Sequence, residues 1–342
     1  MPDPAPIEEI LEPDLPICDP HHHLWDFPGS RYMLAELLED TAGGGHRVES
    51  TVFVECGSFY RAGAAPGWQF VGEVEFVNGV AAMAASDRYN PLLQPGEAGR
   101  ACSVLACEAI VGRADLTMGA PVEGVLERQV RAGNGRYRGI RHAGGWDASD
   151  AVRNSHTDPP QGLYASKAFR EGFSRLSALG LSFEAWQYHP QLPEVTDLAR
   201  AFPETLIVLD HVGGPLGIGP YAGKRDEVFA GWRADIAELA RLPNVWVKLG
   251  GLGMTICGFG HHKREVLPRS AELAEAWRPY IETCIEAFGP ERSMLESNFP
   301  VDRASCSYAN LWNAFKRITA GASASEKALV YRDTARKFYR LP

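Results

Sequence analysis

Short apolar runs recur along the chain, and stretches with helical spacing of apolar residues separate them. Most runs lack strict alternation of apolar and polar positions, which is typical of strands buried on both faces of a parallel sheet. The predicted strands are Ile17–His21, Thr51–Cys56, Ser103–Ile110, Arg138–His142, Ser182–Tyr188, Leu206–His211, Val245–Leu249 and Ser293–Glu296.

Helical patterns fill most of the intervals between these runs. The predicted helices are Trp68–Arg88, Phe169–Leu179, Pro193–Ala201, Asp226–Ala240, Ser270–Phe288 and Ser325–Tyr339, the last of which is expected to pack on the outside. Eight strands that alternate with helices predict an α/β fold, a (β/α)₈ TIM barrel with elaborated βα loops. No change of composition marks a second domain, so we interpret residues 1–342 as a single barrel domain.

Composition and charge argue against several classes of protein. Hydrophobic residues make up 45% of the 342 positions, which is enough for a large core. The formal net charge of −9 argues against a nucleic-acid partner, and the lack of a long apolar run argues against a membrane span. The seven cysteines form no CxxC pair and no secretory signal is visible, so the expected location is the cytoplasm.

The candidate chemistry begins at His21-His22-His23, where the first predicted strand ends. Successive side chains of a strand point to opposite faces, so His21 and His23 should converge while His22 points away and packs. Two imidazoles that converge from one strand end are half of a metal site or of an acid–base site.

Polar residues also follow the other predicted strands. Active sites of TIM barrels lie at the C-terminal ends of the strands, where this chain places His189, His211 and Asp302. Arginine pairs well with carboxylates, and aromatic side chains can wall a pocket. The candidate substrate-binding residues are Arg61, Arg141, Tyr60, Trp146, Trp186 and Asn298, and Glu55 could balance a nearby cation.

Six segments carry a resemblance to a known family. They are Asp19–Asp26, Val54–Gly57, Gly139–His142, Leu209–Gly214, Val247–Gly251 and Glu296–Asp302, and they span nearly the whole chain. In these segments the chain resembles the amidohydrolase superfamily, within the branch of 2-pyrone-4,6-dicarboxylate lactonase, 4-sulfomuconolactone hydrolase and sugar lactonases. The resemblance implies that a lactone is opened by an activated water.

The resemblance also implies a set of metal ligands and catalytic groups. One divalent ion, with Zn²⁺ expected at an imidazole-rich site, would be held by His21, His23, His189 and His211. Asp302 would be the general base and a further ligand, and the catalytic set would comprise Asp302, His211, His21 and His23. The fourth strand carries Arg141 where binuclear relatives carry a bridging lysine, so we expect one metal, and a metal-free mechanism stays open.

Two other functions stay open from the sequence. One is a metal-dependent decarboxylase of the same superfamily, and the other is a non-catalytic barrel that binds a small acid or a metal. The expected partner in each case is a small molecule, and the resemblance allows a homo-oligomer. The roles of His142, Lys248, His261 and His262 are undecided at this stage.

Overall fold

Eight parallel strands pair in chain order in the computed structural model, which describes residues 3, 6–86 and 104–342. The first strand is joined to the segment after the last, because His23 N donates to Phe299 O (2.8 Å) and Asn298 N donates to His21 O (3.0 Å). The strands are β1 Pro16–His22, β2 Arg47–Val54, β3 Leu105–Arg113, β4 Tyr137–Arg141, β5 Ser182–Ala185, β6 Ile207–Leu209, β7 Val245–Leu249 and β8 Ser293–Leu295.

A helix follows each strand, which confirms the predicted (β/α)₈ barrel. The helices are α1 Leu34–Thr41, α2 Val71–Ala84, α3 Val122–Ala132, α4 Lys167–Phe173, α5 Leu192–Ala201, α6 Arg225–Leu239, α7 Ser270–Phe288 and α8 Tyr308–Ile318, and then α9 Ala324–Ala328 and α10 Thr334–Tyr339. The sequence interpretation did not include α1 or α3. Among the described residues, every helix is too short or too polar to cross a bilayer.

Several predicted boundaries differ from the observed ones. Strand β3 continues to Arg113 and pairs there with Arg141, whereas its predicted start at Ser103 lies outside the described residues. Strand β5 ends at Ala185, because its pairing with β6 ends at the Ala185–Leu209 contact. The predicted helix from Trp68 begins as a 3₁₀ turn before α2, and its predicted end at Arg88 lies outside the described residues.

Side chains along the strands alternate between the surrounding helices and the barrel interior. Phe53, Ile140 and Phe183 pack outward with the helices. An inner apolar cluster contains Cys18, Val52, Val54, Ala109, Val111, Val208, Trp246 and Met294. Nearer the C-terminal strand ends the interior positions are charged, since Arg141, Glu184 and Lys248 take them. The barrel therefore has an apolar lower layer and an ionic upper layer.

The end of the chain contributes to that lower layer. Phe338 and Tyr339 of α10 are buried in the inner apolar cluster. The prediction that this last helical segment packs on the outside is therefore wrong for its end. The physical reason is that two large aromatic side chains fill space in the lower layer that the small strand residues Cys18 and Ala109 leave.

Candidate active site

Three histidines meet at the C-terminal end of the barrel. The ring of His21 lies 4.9 Å from that of His23 and 4.5 Å from that of His211, measured between centroids. The backbone of His211 is left-handed (φ 54°), which turns its side chain back over the barrel after β6. Gly251 allows this approach, because a Cβ there would lie 2.5 Å from the His211 ring.

His22 points the other way, as the alternation along β1 predicts. Its Nε2 lies 2.8 Å from the hydroxyl of Thr51 and 3.8 Å from the Cys107 sulfur, on the helix side of the sheet. Burial lowers the pKa of His22 to about 4, so this imidazole is neutral. It is a packed and hydrogen-bonded residue whose ring contacts Phe53 and the backbone oxygen of His23 but none of the three clustered rings.

The Nδ1 atoms of His23 and His211 each face a fixed acceptor, whereas Nδ1 of His21 lies between a Glu296 oxygen and the Lys248 ammonium. His23 Nδ1 lies 2.8 Å from Val54 O, and Glu296 lies 2.8 Å from His21 Nδ1 and 2.7 Å from His211 Nδ1. Burial lowers the pKa of His21 and of His23 well below the ordinary value, so both rings are neutral. An imidazole whose Nδ1 donates to such an acceptor presents the lone pair of Nε2, which is the atom that binds a metal or polarises a carbonyl.

The donor set fits one divalent cation. Ligand atoms of His21, Asp210 and His211 lie within 4.8 Å of one another, and all three residues are buried. The Lys248 ammonium lies 3.1 Å from His21 Nδ1 and 3.4 Å from Asp210 Oδ1. A resident cation on this side of the cluster disfavours a second metal ion by charge repulsion.

Lys248 belongs to an ionic group below the histidines. Its Nζ donates to Glu184 Oε2 at 2.7 Å, and the Tyr339 hydroxyl donates to the other Glu184 oxygen. Burial alone would lower the pKa of Lys248, but Asp210 and Glu184 outweigh burial and raise it. The ammonium therefore stays charged, although Lys248 is fully buried.

Asp302 is buried beside the cluster, in the segment that follows β8. Its Oδ2 accepts from Gly253 N and its Oδ1 from Asn298 Nδ2, both at 2.8 Å. Gly253 is required there, because a Cβ would lie 2.6 Å from Oδ2. Burial raises the pKa of Asp302 to about 7, and the nearby His211 opposes the rise. A carboxyl group with that pKa can both accept and return a proton near neutrality.

Arg141 is engaged within the protein. Its Nε donates to Glu55 Oε1 at 2.8 Å, and its Nη1 lies 3.4 Å from both Asp210 Oδ2 and His21 Nε2. Although burial raises the pKa of Glu55, His156 and Arg141 outweigh burial and hold it well below the ordinary value. The structure thus gives Arg141 internal partners, whereas the sequence interpretation made it a substrate contact.

The other predicted substrate contacts are dispersed. Trp186 lies against His211, with ring centroids 4.8 Å apart, and Asn298 holds Asp302. Arg61 forms an exposed ion pair with Glu75.

Trp146 and Tyr60 occupy the loops after β4 and β2. Trp146 is half-buried, and its backbone N–H donates to Gln191. The Tyr60 ring packs against Phe70.

Three of the remaining histidines have local roles. His189 Nδ1 accepts from Leu216 N (3.2 Å), and the structure does not place His189 in the ligand group of His21, so its ligation stays a prediction. His142 Nδ1 accepts from Leu116 N (3.3 Å) in the same way. His261 stacks on Phe259.

Sequence reasoning gave no role to the interior charges Glu184, Asp210 and Glu296, and it left the role of Lys248 undecided. A signal existed for two of them, since Glu184 and Lys248 each interrupt an apolar strand at an inward position. A charged residue inside an apolar strand is costly unless it is paired, so it marks a buried ionic group. Their pairing with each other could not be inferred, because they lie on different strands.

Comparison with known proteins places the chain in a family. The amidohydrolase family model matches residues 18–341. The chain belongs to the amidohydrolase family. One relative of this chain is the uncharacterized protein y4mH of Sinorhizobium fredii. It is 32% identical over 334 residues, which cover 96% of this chain and 99% of the relative. An L-fucono-1,5-lactonase of Burkholderia multivorans is 28% identical over 243 residues, 71% of this chain and 74% of the relative.

A solved structure shows the same architecture. The crystal structure of an amidohydrolase from Burkholderia multivorans with bound zinc superposes with a TM-score of 0.71 at 23% identity, covering 95% of this chain and 99% of that one. At this identity the match bears on the fold. Together with the family match, it identifies the chain as an amidohydrolase-type enzyme built on a TIM barrel.

Proposed function

We propose that this amidohydrolase hydrolyses a lactone by attack of a water molecule that Asp302 deprotonates. The observation that carries the proposal is the convergence of His21, His23 and His211 beside the buried Asp302 at the mouth of the barrel. Similarity to an L-fucono-1,5-lactonase supports a cyclic ester as the substrate.

In the proposed reaction, Asp302 transfers the proton and the histidine cluster stabilises the developing charge. Asp302 accepts the proton of the attacking water as the oxygen bonds to the carbonyl carbon. The carbonyl oxygen gains negative charge in that step, and the histidine cluster would stabilise this charge. Asp302 then returns the proton to the ring oxygen as the ester bond breaks, so the product is a hydroxy acid.

One divalent cation fits the same cluster, with zinc as the expected ion. His21, Asp210 and His211 are the residues that would hold it, with His23 beside them and Asp302 as the further ligand expected from the sequence. When bound, it would polarise the carbonyl as a Lewis acid. Elemental analysis of protein purified without added metal should give about one equivalent of zinc per chain, and protein from His211→Asn should retain much less.

Asp302→Asn tests the assignment of the base. Turnover of a panel of γ- and δ-lactones, followed as acid release, should fall by roughly 10³-fold, because an amide cannot accept the proton. The circular dichroism spectrum should be unchanged. Asp226→Asn on the first turn of α6 is the matched control and should retain full turnover.

The same assays separate the alternatives. Turnover of Asp302→Asn near that of the unaltered protein would reject Asp302 as base. Release of CO₂ from aromatic acids, with no lactone opened, would replace the proposal by the decarboxylase function. Zinc at full occupancy without turnover of any lactone or aromatic acid would favour a binding protein.

A further inference from the structure

The loop that follows β4 contacts two opposite sides of the barrel mouth. In this loop, residues 143–158, which we call the strap, Asp147 accepts a hydrogen bond from the Tyr221 hydroxyl (2.8 Å) in the loop after β6. At the other end of the strap, His156 Nε2 lies 3.0 Å from Oε2 of Glu55, the residue directly after β2. The strands β2 and β6 are four strands apart in the closed order of eight, so the strap spans the mouth from one side to the other.

On the β5 and β6 side the strap is packed against the wall of the candidate site. Val152 belongs to an apolar cluster with Trp186 and Leu216, and Trp186 in turn lies against His211. The backbone of the strap is tied to the segment after β5 as well, because Gly144 N donates to Trp186 O at 2.7 Å. This part of the strap is therefore fixed to the barrel.

The part of the strap nearest β2 has a single attachment among the described residues. Residues 154–158 form several hydrogen bonds within the strap, and the bond between His156 and Glu55 is the one that reaches beyond it. The His156 side chain is 33% exposed, and the described residues that line an open hollow of about 400 Å³ beside it all belong to the strap. A segment with so few packed contacts opens at a low cost in free energy.

Glu55 connects His156 to the histidine cluster. The Glu55 side chain is fully buried, and its two oxygens have different partners, since Oε2 meets His156 and Oε1 accepts from Arg141 Nε at 2.8 Å. Arg141 Nη1 lies 3.4 Å from both His21 Nε2 and Asp210 Oδ2, which belong to the candidate ligand group. The position of Arg141 therefore affects how His21 and Asp210 are oriented.

The pairing of Arg141 with Glu55 departs from the usual geometry. Arginine and a carboxylate commonly form two parallel hydrogen bonds that use both carboxylate oxygens. Here Arg141 binds one side-chain oxygen of Glu55, its Nη2 donates to the Glu55 backbone oxygen, and His156 occupies the second side-chain oxygen. The guanidinium therefore keeps Nη1 directed at the cluster.

We propose that His156 is a positioning residue, which docks on Glu55 as the strap closes and thereby holds Arg141 against His21 and Asp210. When the strap opens, Glu55 Oε2 is free to accept a second hydrogen bond from the guanidinium, which turns toward it and moves Nη1 away from the cluster. Closure over a substrate therefore excludes water and also completes the site. The effect on turnover rests on lactone hydrolysis as the proposed function, whereas the movement of Arg141 does not.

Crystal structures of two His156 variants test the positioning without turnover. In His156→Ala, Arg141 should bind both side-chain oxygens of Glu55, and its Nη1 should lie beyond hydrogen-bonding distance of His21 Nε2. In His156→Gln, whose side-chain amide can donate to Glu55, Arg141 should keep the position described above. Asp150→Ala, an exposed change on the same strap, is the matched control and should leave Arg141 in place.

Kinetics provide the second readout. With the best substrate among the γ- and δ-lactones, His156→Ala should lower kcat by about 10- to 100-fold and change KM by less than about threefold, because the substrate still binds but the site is misaligned. His156→Gln should recover most of kcat, and Asp150→Ala should behave like the unaltered protein. The urea midpoints of all variants should agree, which would show that the loss of kcat is not a loss of folded protein.

The outcomes separate the positioning role from the reaction. An unchanged position of Arg141 in a folded His156→Ala variant, or a kcat equal to that of the unaltered protein, would overturn the positioning role even if lactones are hydrolysed. Movement of Arg141 in His156→Ala and its return in His156→Gln, without hydrolysis of any lactone by the unaltered protein, would support the positioning and reject the proposed reaction.

Discussion

Two lysines are buried in this protein, and their surroundings differ in kind. Lys248 in the barrel interior contacts Glu184 at 2.7 Å and Asp210 at 3.4 Å. Lys316 on α8 donates instead to neutral groups, namely Leu11 O (2.8 Å), Glu12 O (2.9 Å) and His46 Nδ1 (2.8 Å). Carboxylate partners raise the pKa of Lys248 against the effect of burial, whereas burial lowers the pKa of Lys316 to about 8.

The difference shows how one chain uses buried charge for two purposes. Lys316 fastens the segment around Leu11 and Glu12 to the outer helices through dipoles, which is a structural task. Lys248 holds full charges together beneath the histidines, although buried ion pairs are poor devices for stability alone. We infer that the interior charges are present for chemistry.

Replacing each lysine in turn should give the largest difference in unfolding free energy and in turnover. Lys248→Met leaves Glu184 and Asp210 without their ammonium and should cost about 3–5 kcal/mol of unfolding free energy, with turnover falling by up to roughly 100-fold. Lys316→Met should cost about 1–3 kcal/mol and leave turnover unchanged. Urea unfolding and lactone assays measure both quantities.

A double variant separates charge balance from catalysis in that test. Lys248→Met combined with Glu184→Gln should recover part of the lost stability, because one uncompensated carboxylate is gone, but it should not recover turnover. The comparison fails if Lys316→Met is the more destabilising change or lowers turnover as much as Lys248→Met.

Lowering the pH should destabilise the fold through His46, the neutral imidazole that accepts from Lys316. Burial, with Lys316 beside it, lowers the pKa of His46 to about 4, so in the fold the ring stays neutral. Between pH 6.5 and 4 the unfolded chain binds a proton there that the folded chain excludes, so stability falls as the pH falls. From pH 7 to 5 this loss is about 2 kcal/mol, and His46→Gln should remove it.

Urea unfolding of both proteins at the two pH values gives the comparison. Identical losses of unfolding free energy in the His46→Gln variant and the unaltered protein would show that His46 is already protonated in the fold. That result would remove the neutral acceptor from the surroundings of Lys316.

The smallest expected effect is that of removing the Tyr339 hydroxyl, which donates to Glu184 near the end of the chain. Tyr339→Phe should cost about 1 kcal/mol and lower turnover by less than about tenfold, because one hydrogen bond to the interior charges is lost. Tyr331→Phe is the matched control, since its buried hydroxyl contacts Thr319 at 2.9 Å outside the barrel. Equal turnover in the two variants would show that the Tyr339 hydroxyl of the C-terminal helix does not contribute to activity.

Much of the fold was predictable because its signals are local. Apolar runs located the strands within a few residues, and the two-residue period of a strand separated His22 from His21 and His23. Errors fell where local signals are weak, as at the end of β3 and in α1, a helix of only 8 residues. The placement of Tyr339 inside the barrel had no local signal at all.

The partners of the charged side chains were not predictable in this way. The pattern of the chain alone establishes that a parallel barrel forms and that imidazoles collect at one end, because strand period and chain order require it. Whether Arg141 faces a substrate or Glu55, and whether Lys248 meets Glu184 or water, depends on strands far apart in the chain that closure brings together. Coulomb energy varies with separation and local dielectric, and both quantities exist only once the barrel has closed.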